Sequence, residues 1–301
     1  MNPPGFNIAA VERDTGLSKD VLRVWERRYG FPVPDRDING ERLYPADQVE
    51  RLRLIKRLMD QGHRPGKLIA APAEELTALA PRRSRHAENA APADATGLAD
   101  LLSLIKQHDA AGYLQAMQQR LARQGLQHFV QDTVAPLTRQ VGEAWEDGSV
   151  EVFEEHLFTE QTKRLLRQAI AALPSGPRGP RVLLTSVPDE PHILGLLMAE
   201  ALLALEGAEC IPLGTQMPLL EIGRAAEAHR ADIVGLSFSV AFPQRQIPGL
   251  LQQLRQILPA AVELWAGGGG ILRTPQMEGV LTLDSFDTAI TALADWRAHH
   301  P

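Results

Sequence analysis

Arg181-Val-Leu-Leu-Thr-Ser-Val187, followed within three residues by Glu190-Pro-His192-Ile-Leu-Gly195, is the stretch that decides how this chain folds. Its first half is a short, nearly continuous apolar run, the pattern of a strand covered on both faces. Its second half leads into a helical pattern over residues 192–206. The same alternation repeats downstream. Further strands are expected at Ala208 to Leu213, Asp232 to Ser237, Val262 to Ala266 and Val280 to Leu283, with helices at 219–229, 244–257 and 286–298. Strands alternating with helices predict a doubly wound, Rossmann-like parallel sheet over residues 181–301. Sheets of this kind bind ligands at the carboxyl ends of their strands. Three short motifs fall there: Glu190 to Gly195, Ser237-Phe-Ser239, and the pair Gly267-Gly268.

Upstream the character changes. Residues 97–174 show apolar positions at helical spacing, for example Leu101, Leu104 and Ile105, then Leu114, Met117 and Leu121, then Leu157, Leu165 and Leu166. A bundle of about four helices is expected. It is bounded by Pro174 to Pro180, rich in Pro and Gly, and by an Ala- and Pro-rich stretch at 71–96 that includes the basic run Pro81 to Arg85 and reads as a linker. No stretch approaches the ~20 apolar residues of a membrane span, and the first residues lack the build of a secretion signal. A cytoplasmic protein is expected. The single cysteine, Cys210, excludes an internal disulfide framework and any zinc site built on cysteines.

Charge is unevenly spread. Residues 1–70 carry 13 Lys plus Arg against 10 Asp plus Glu, so this segment is at +3 and the remainder at -9 of the total -6. Only the N-terminal segment suits a polyanion. There, a helix over Asn7 to Arg13, a turn through Gly16, and Ser18 as N-cap of a second helix beginning at Lys19 have helix-turn-helix spacing. A polar hairpin follows, with Asn39-Gly40 at its tip and Arg42-Leu43-Tyr44 on its return strand. This is a wing. With Arg23-Val-Trp25-Glu-Arg-Arg28-Tyr29-Gly30, residues 6–68 resemble the winged helix of the MerR family of transcriptional regulators. The resemblance implies a reader at residues 1–70, usually dimeric, for near-palindromic operator DNA. Lys19 and Arg23 would sit in the major groove, Arg28 and Tyr29 would anchor the backbone, and Arg42 and Tyr44 would hold phosphates. Trp25 and Leu22 read as core.

Glu190-x-His192-x-x-Gly195, Ser237-x-Ser239 and Gly267-Gly268, in that order, resemble the signature of cobalamin-binding domains. The resemblance implies that His192 is the lower axial ligand of cobalt and that Glu190 orients it. Gly195 would let the ring approach the backbone, and the cofactor's nucleotide tail would thread past the serines and the glycine pair. Trp145, nine residues and then Glu155-His156 match the pattern of the light-responsive branch of MerR regulators, the CarH and LitR type. In that branch these side chains surround the adenosyl group. One position departs: light-sensing members carry a cobalt-binding histidine directly after the tryptophan, and here that residue is Glu146, with His128 and His156 as nearby histidines.

Taken together, these features predict a non-enzymatic regulator with three parts: reader, helical cap and cobalamin-binding domain. Its cofactor would be adenosylcobalamin, its partners operator DNA and further copies of itself as a dimer or tetramer, and its place the bacterial cytoplasm at the nucleoid. In the first reading it is a repressor whose oligomer and operator binding respond to light. Two alternatives stand beside it, a cobalamin-sensing regulator without a light response and a corrinoid subunit of a methyltransferase or mutase.

Overall fold

The computed structural model describes residues 6–15, 17–37, 40–60, 63–72, 75–76, 95–173 and 179–300. Asn39 of the hairpin tip, the 81–85 basic run and most of the stretches read as 71–96 linker and 174–180 break lie outside them. The chain forms two compact units, residues 1–91 with 143–152, and residues 92–142 with 153–301.

In the first unit, β1 (Phe6–Asn7) leads into α1 (Ile8–Thr15) and α2 (Lys19–Tyr29), and β2 (Asp35–Arg36) and β3 (Arg42–Tyr44) form a hairpin before α3 (Ala46–Asp60) and α4 (Pro65–Ala70). The strands make an antiparallel sheet in the order β1-β3-β2. Ser18 caps α2 by accepting from the Val21 N–H, and Gly30 ends it in the left-handed conformation at φ 67°. The hairpin closes through Gly40 N–H to the Asp37 carbonyl at 3.0 Å and Glu41 N–H to the Asp37 side chain at 2.7 Å. Leu22 and Trp25 from α2 pack with Val11, Tyr44, Leu52 and Ile55 in one core, where each large apolar side chain contributes about 1.5–3 kcal/mol by burial.

The second unit begins with the bundle: α5 (Ala95–Lys106), α6 (Ala110–His128), a π-helical turn (Phe129–Val134) continuing into α7 (Ala135–Glu146), and α8 (Val152–Ala171), of which the last residues of α7 and the first of α8 belong to the first unit. Gly125, at φ 75° and ψ 165°, interrupts α6. A π-turn widens the helix by one residue per turn, and here it buries Phe129, Val130, Thr133 and Val134 together.

Five parallel strands follow: β4 (Arg181–Thr185), β5 (Glu209–Gly214), β6 (Ile233–Ser237), β7 (Glu263–Gly267) and β8 (Leu281–Leu283), in the order β5-β4-β6-β7-β8. Helices α9 (Leu194–Leu205), α10 (Leu219–His229), α11 (Ile247–Ile257) and α12 (Phe286–His299) alternate with them. The direction of winding reverses between β4 and β6, and the loops leaving these two strands therefore flank the crevice where such sheets bind ligands. Helix α9 is apolar nearly all round because both its sides are covered. Leu196 and Leu203 pack with the sheet residues Val182, Leu184 and Trp265. Leu197, Met198, Ala201 and Leu202 join Phe129, Val130, Val134 and Phe158 of the bundle.

Helix α9 starts two residues later than the pattern suggests, because Pro191 and His192 are held in the preceding loop. Helix α11 is preceded by a 3-10 turn at Gln244–Gln246. Among the described residues no helix is long and apolar enough to cross a membrane.

Candidate functional site

The loop after β4 is built around a buried acid. Glu190 is 1% exposed, and each of its carboxylate oxygens has a separate task. Oε1 lies 2.6 Å from His192 Nδ1 and accepts the His192 N–H at 3.1 Å. Oε2 accepts the N–H of Ser239, from the loop after β6, at 2.7 Å. One side chain thus ties together the two loops at the switch point. Burial alone raises the Glu190 pKa, but hydrogen bonds from His192 and from the Ser239 N–H, with the charge of His192, outweigh it and hold the carboxyl below 4.5. Against an ionised carboxylate Nδ1 is the donor, so a neutral His192 ring has its lone pair on Nε2. The His192 side chain is 55% exposed.

Ser186, the residue just after β4, locks this loop from behind. Its hydroxyl donates to the Glu190 carbonyl at 2.6 Å and accepts the Gln216 N–H at 2.9 Å. Its own carbonyl takes the Met217 N–H at 2.9 Å. Sequence reading missed Ser186. The available signal is the Thr185-Ser186 pair, two polar residues closing an apolar strand.

The glycines of the other motifs create room that neighbouring loops fill. A Cβ at Gly195 would stand 2.6 Å from Ser237 Oγ, so the space at the start of α9 is used by that hydroxyl. At Gly268, φ is +94° and a Cβ would stand 2.4 Å from the Phe238 carbonyl; at Gly270 one would stand 2.4 Å from the Ser239 carbonyl. Phe238 N–H donates to the Gly267 carbonyl and Gly270 N–H to the Phe238 carbonyl, each at 2.9 Å. The glycine run therefore draws the 238–240 backbone against the end of β7, which puts the Ser239 N–H where Glu190 receives it. Ser239 Oγ is buried without a hydrogen-bond partner among the described residues.

In the bundle, His156 and Glu155 pair with each other, Nδ1 to Oε2 at 2.7 Å, and Thr159 donates to Glu155 at 2.7 Å. His156 is 70% exposed. His128 pairs with Asp132 at 3.0 Å. Trp145, near the end of α7, is half-buried and belongs to the first unit, together with the exposed Glu146.

The first unit presents the basic residues of the reader. On α2, Lys19 pairs with Glu12 at 3.4 Å and Arg23 with Asp20 at 3.3 Å. The Arg28 guanidinium lies over the exposed Tyr29 ring, 5.3 Å from its centroid. Arg42 and Tyr44 of β3 both turn to α2. Arg42 Nε donates to Glu26 Oε2 at 2.9 Å, and the Tyr44 hydroxyl donates to Glu26 Oε1. Tyr44 is fully buried, and burial with the hydrogen bond to Glu26 raises its pKa. This corrects the reading of Tyr44 as a phosphate contact. Its ring fills the core between helix and wing, and its hydroxyl is directed to Glu26. Glu26 itself escaped notice as an acid amid the basic run of the signature.

Comparison with known proteins bears on both halves. Residues 6–69 match the family model described as MerR HTH family regulatory protein, and residues 98–170 match that described as B12 binding domain. The chain is 33% identical over 266 residues to the HTH-type transcriptional repressor CarH of Myxococcus xanthus, covering 87% of this chain and 88% of that one. It is 27% identical over 280 residues to the HTH-type transcriptional repressor CarA of the same organism, covering 92% and 91%. Among solved structures, this chain shares a fold with the monomethylamine corrinoid protein of Methanosarcina barkeri. There the TM-score is 0.54 at 16% identity, over 67% of this chain and 99% of that one, a likeness of fold.

Proposed function

The chain belongs to the CarH-like family of MerR regulators that carry a B12 binding domain, and from that premise we propose that it is a transcriptional repressor controlled by adenosylcobalamin and light. The observation that carries the cofactor part is the Glu190 bridge. His192 offers one donor whose other nitrogen is tied to a buried carboxylate, which suits a metal that brings its remaining ligands with it, as cobalt in a corrin does. The buried Ser239 hydroxyl, lacking a hydrogen-bond partner among the described residues, suits a polar ligand group entering beside the 238–240 loop.

Bound adenosylcobalamin supplies a cobalt–carbon bond that visible light breaks. The chain's residues then have these tasks. His192 would hold the cobalt, Glu190 fixes the tautomer and angle of the ring, and Ser186 keeps Glu190 in place. Ser237, Ser239, Gly195, Gly267 and Gly268 shape the path of the nucleotide tail. Glu155 and His156 would contact the adenosyl group. Lys19, Arg23, Arg28, Tyr29 and Arg42 contact operator DNA, in the bacterial cytoplasm. Light regulates by changing the oligomer, which requires the cofactor to bind one assembly more tightly than another. Both relatives that span the chain are named as repressors, which sets aside the reading as a corrinoid enzyme subunit.

The exposed Glu146 favours a second reading, a cobalamin sensor that does not respond to light. The elution volume of the protein saturated with adenosylcobalamin, first in the dark and then illuminated, separates the two. A dark assembly that falls to smaller species supports light control. An unchanged assembly whose absorption spectrum reports photolysis supports cofactor sensing. Retention of adenosylcobalamin by His192→Ala at native affinity would remove His192 as a holder of the cofactor.

A further inference from the structure

The DNA-facing helix carries an acid among its bases. Helical spacing places Lys19, Arg23 and Glu26 along one side of α2. A carboxylate there opposes the phosphates that the neighbouring side chains seek. Yet Glu26 is directed elsewhere: its side chain is 15% exposed, Oε2 receives Arg42 Nε at 2.9 Å and Oε1 receives the Tyr44 hydroxyl. Both partners stand on β3, the return strand of the wing, sixteen and eighteen residues along the chain. A single carboxylate is thus the polar joint between recognition helix and wing.

The contact with Arg42 uses Nε, the nitrogen nearest the stem of the guanidinium. Holding that atom fixes the plane of the group and the direction of its two terminal nitrogens, the pair that matches a phosphate. Arg42 is 32% exposed, so the side chain is anchored at one edge and open at another.

We propose that Glu26 is a positioning residue of the DNA reader, which aims the Arg42 fork at a backbone phosphate and so strengthens DNA binding in spite of its negative charge. This rests on the DNA-binding reading of the first unit. The opposite role, in which Glu26 sequesters Arg42 from DNA, predicts the opposite sign.

The test uses the full chain and a fluorescein-labelled duplex of random sequence and about 30 base pairs, with binding followed by anisotropy between about 50 and 200 mM salt. Glu26→Gln and Glu26→Asp should each weaken binding about tenfold and make the dependence of log K on log salt shallower by about one, as Arg42→Ala does. Glu26→Asp keeps the charge but shortens the reach, so its loss cannot arise from net charge, and it stands in if Glu26→Gln does not fold. In the double variant Glu26→Gln with Arg42→Ala, binding should be no weaker than in Arg42→Ala alone. Native or tighter binding by the folded Glu26 variants overturns the proposal. Failure of the native chain to bind the duplex overturns the DNA-binding reading itself.

Discussion

Glu26 and Glu190 do similar work in two separate units, and their differences show how a carboxylate can serve either a surface or a crevice. Each joins two segments distant in sequence, α2 to the wing in one case and the loops after β4 and β6 in the other. Glu26 is partnered by a permanent cation and a hydroxyl, at 15% exposure. Glu190 is partnered by backbone N–H groups and an imidazole, at 1% exposure. The first arrangement can let go of one oxygen and keep its fold. The second is supported by buried backbone, so its failure disturbs the architecture around it.

The largest effect that can break this comparison lies beside Glu190. Gly268→Ala meets both a φ of +94° and a carbonyl at 2.4 Å, and should cost about 3 kcal/mol or more of stability. Thermal unfolding of the apoprotein measures it; a shift as small as that of a surface substitution would mean that the 238–240 loop is not held by this contact.

Glu190→Gln should come next, weakening adenosylcobalamin binding by about 10–100-fold in equilibrium dialysis, the range for a group that orients a metal-binding histidine. It should also change the acid limb of stability. Because the folded pKa of Glu190 is lowered, its contribution is present above the unfolded carboxylate value of about 4.3 and is lost as pH falls through the folded one. Melting temperature of the native apoprotein should therefore drop below about pH 4.3 by an increment missing from Glu190→Gln. Identical acid profiles would detach Glu190 from the stability of the fold.

Ser186→Ala removes a buried hydroxyl that serves two backbone groups and should cost about 2 kcal/mol, read by urea unfolding. Tyr44→Phe sharpens the other side. It keeps the buried ring and leaves Arg42 on Glu26, so a loss of about 1 kcal/mol with unchanged salt dependence of DNA binding is expected. A change in salt dependence would give Tyr44 a direct part in phosphate binding.

Much of this was legible in the residues. The five strands and the helices between them stand within three residues of where apolar runs and helical periods put them, because burial on both faces writes itself into composition. The motifs fall at strand ends for the same reason. What could not be read is the work of backbone. Ser239 was noted for its hydroxyl, whereas its N–H is what Glu190 receives, and no residue type announces a backbone donor. Gly267 and Gly268 suggested space for a ligand, and at Gly268 that space is filled by the 238–240 chain. The π-turn after His128 follows a break at Gly125, which a helical pattern of Leu114, Met117 and Leu121 passes over. In the reader, the pairing of Tyr44 with Glu26 leaves no mark in the sequence, because it needs three-dimensional proximity across eighteen positions.

Helix α9, covered by the sheet on one side and the bundle on the other, has a consequence for synthesis. The bundle leaves the ribosome first, and the surface formed by Phe129, Val130 and Val134 has to wait for α9 to be made before it is closed. The strands in turn gain a finished layer only when α9 is backed by helices already present. A cut at the proline-rich stretch between 174 and 180, convenient as it looks on paper, would separate two pieces that each hold half of one interior, and both would be prone to aggregate.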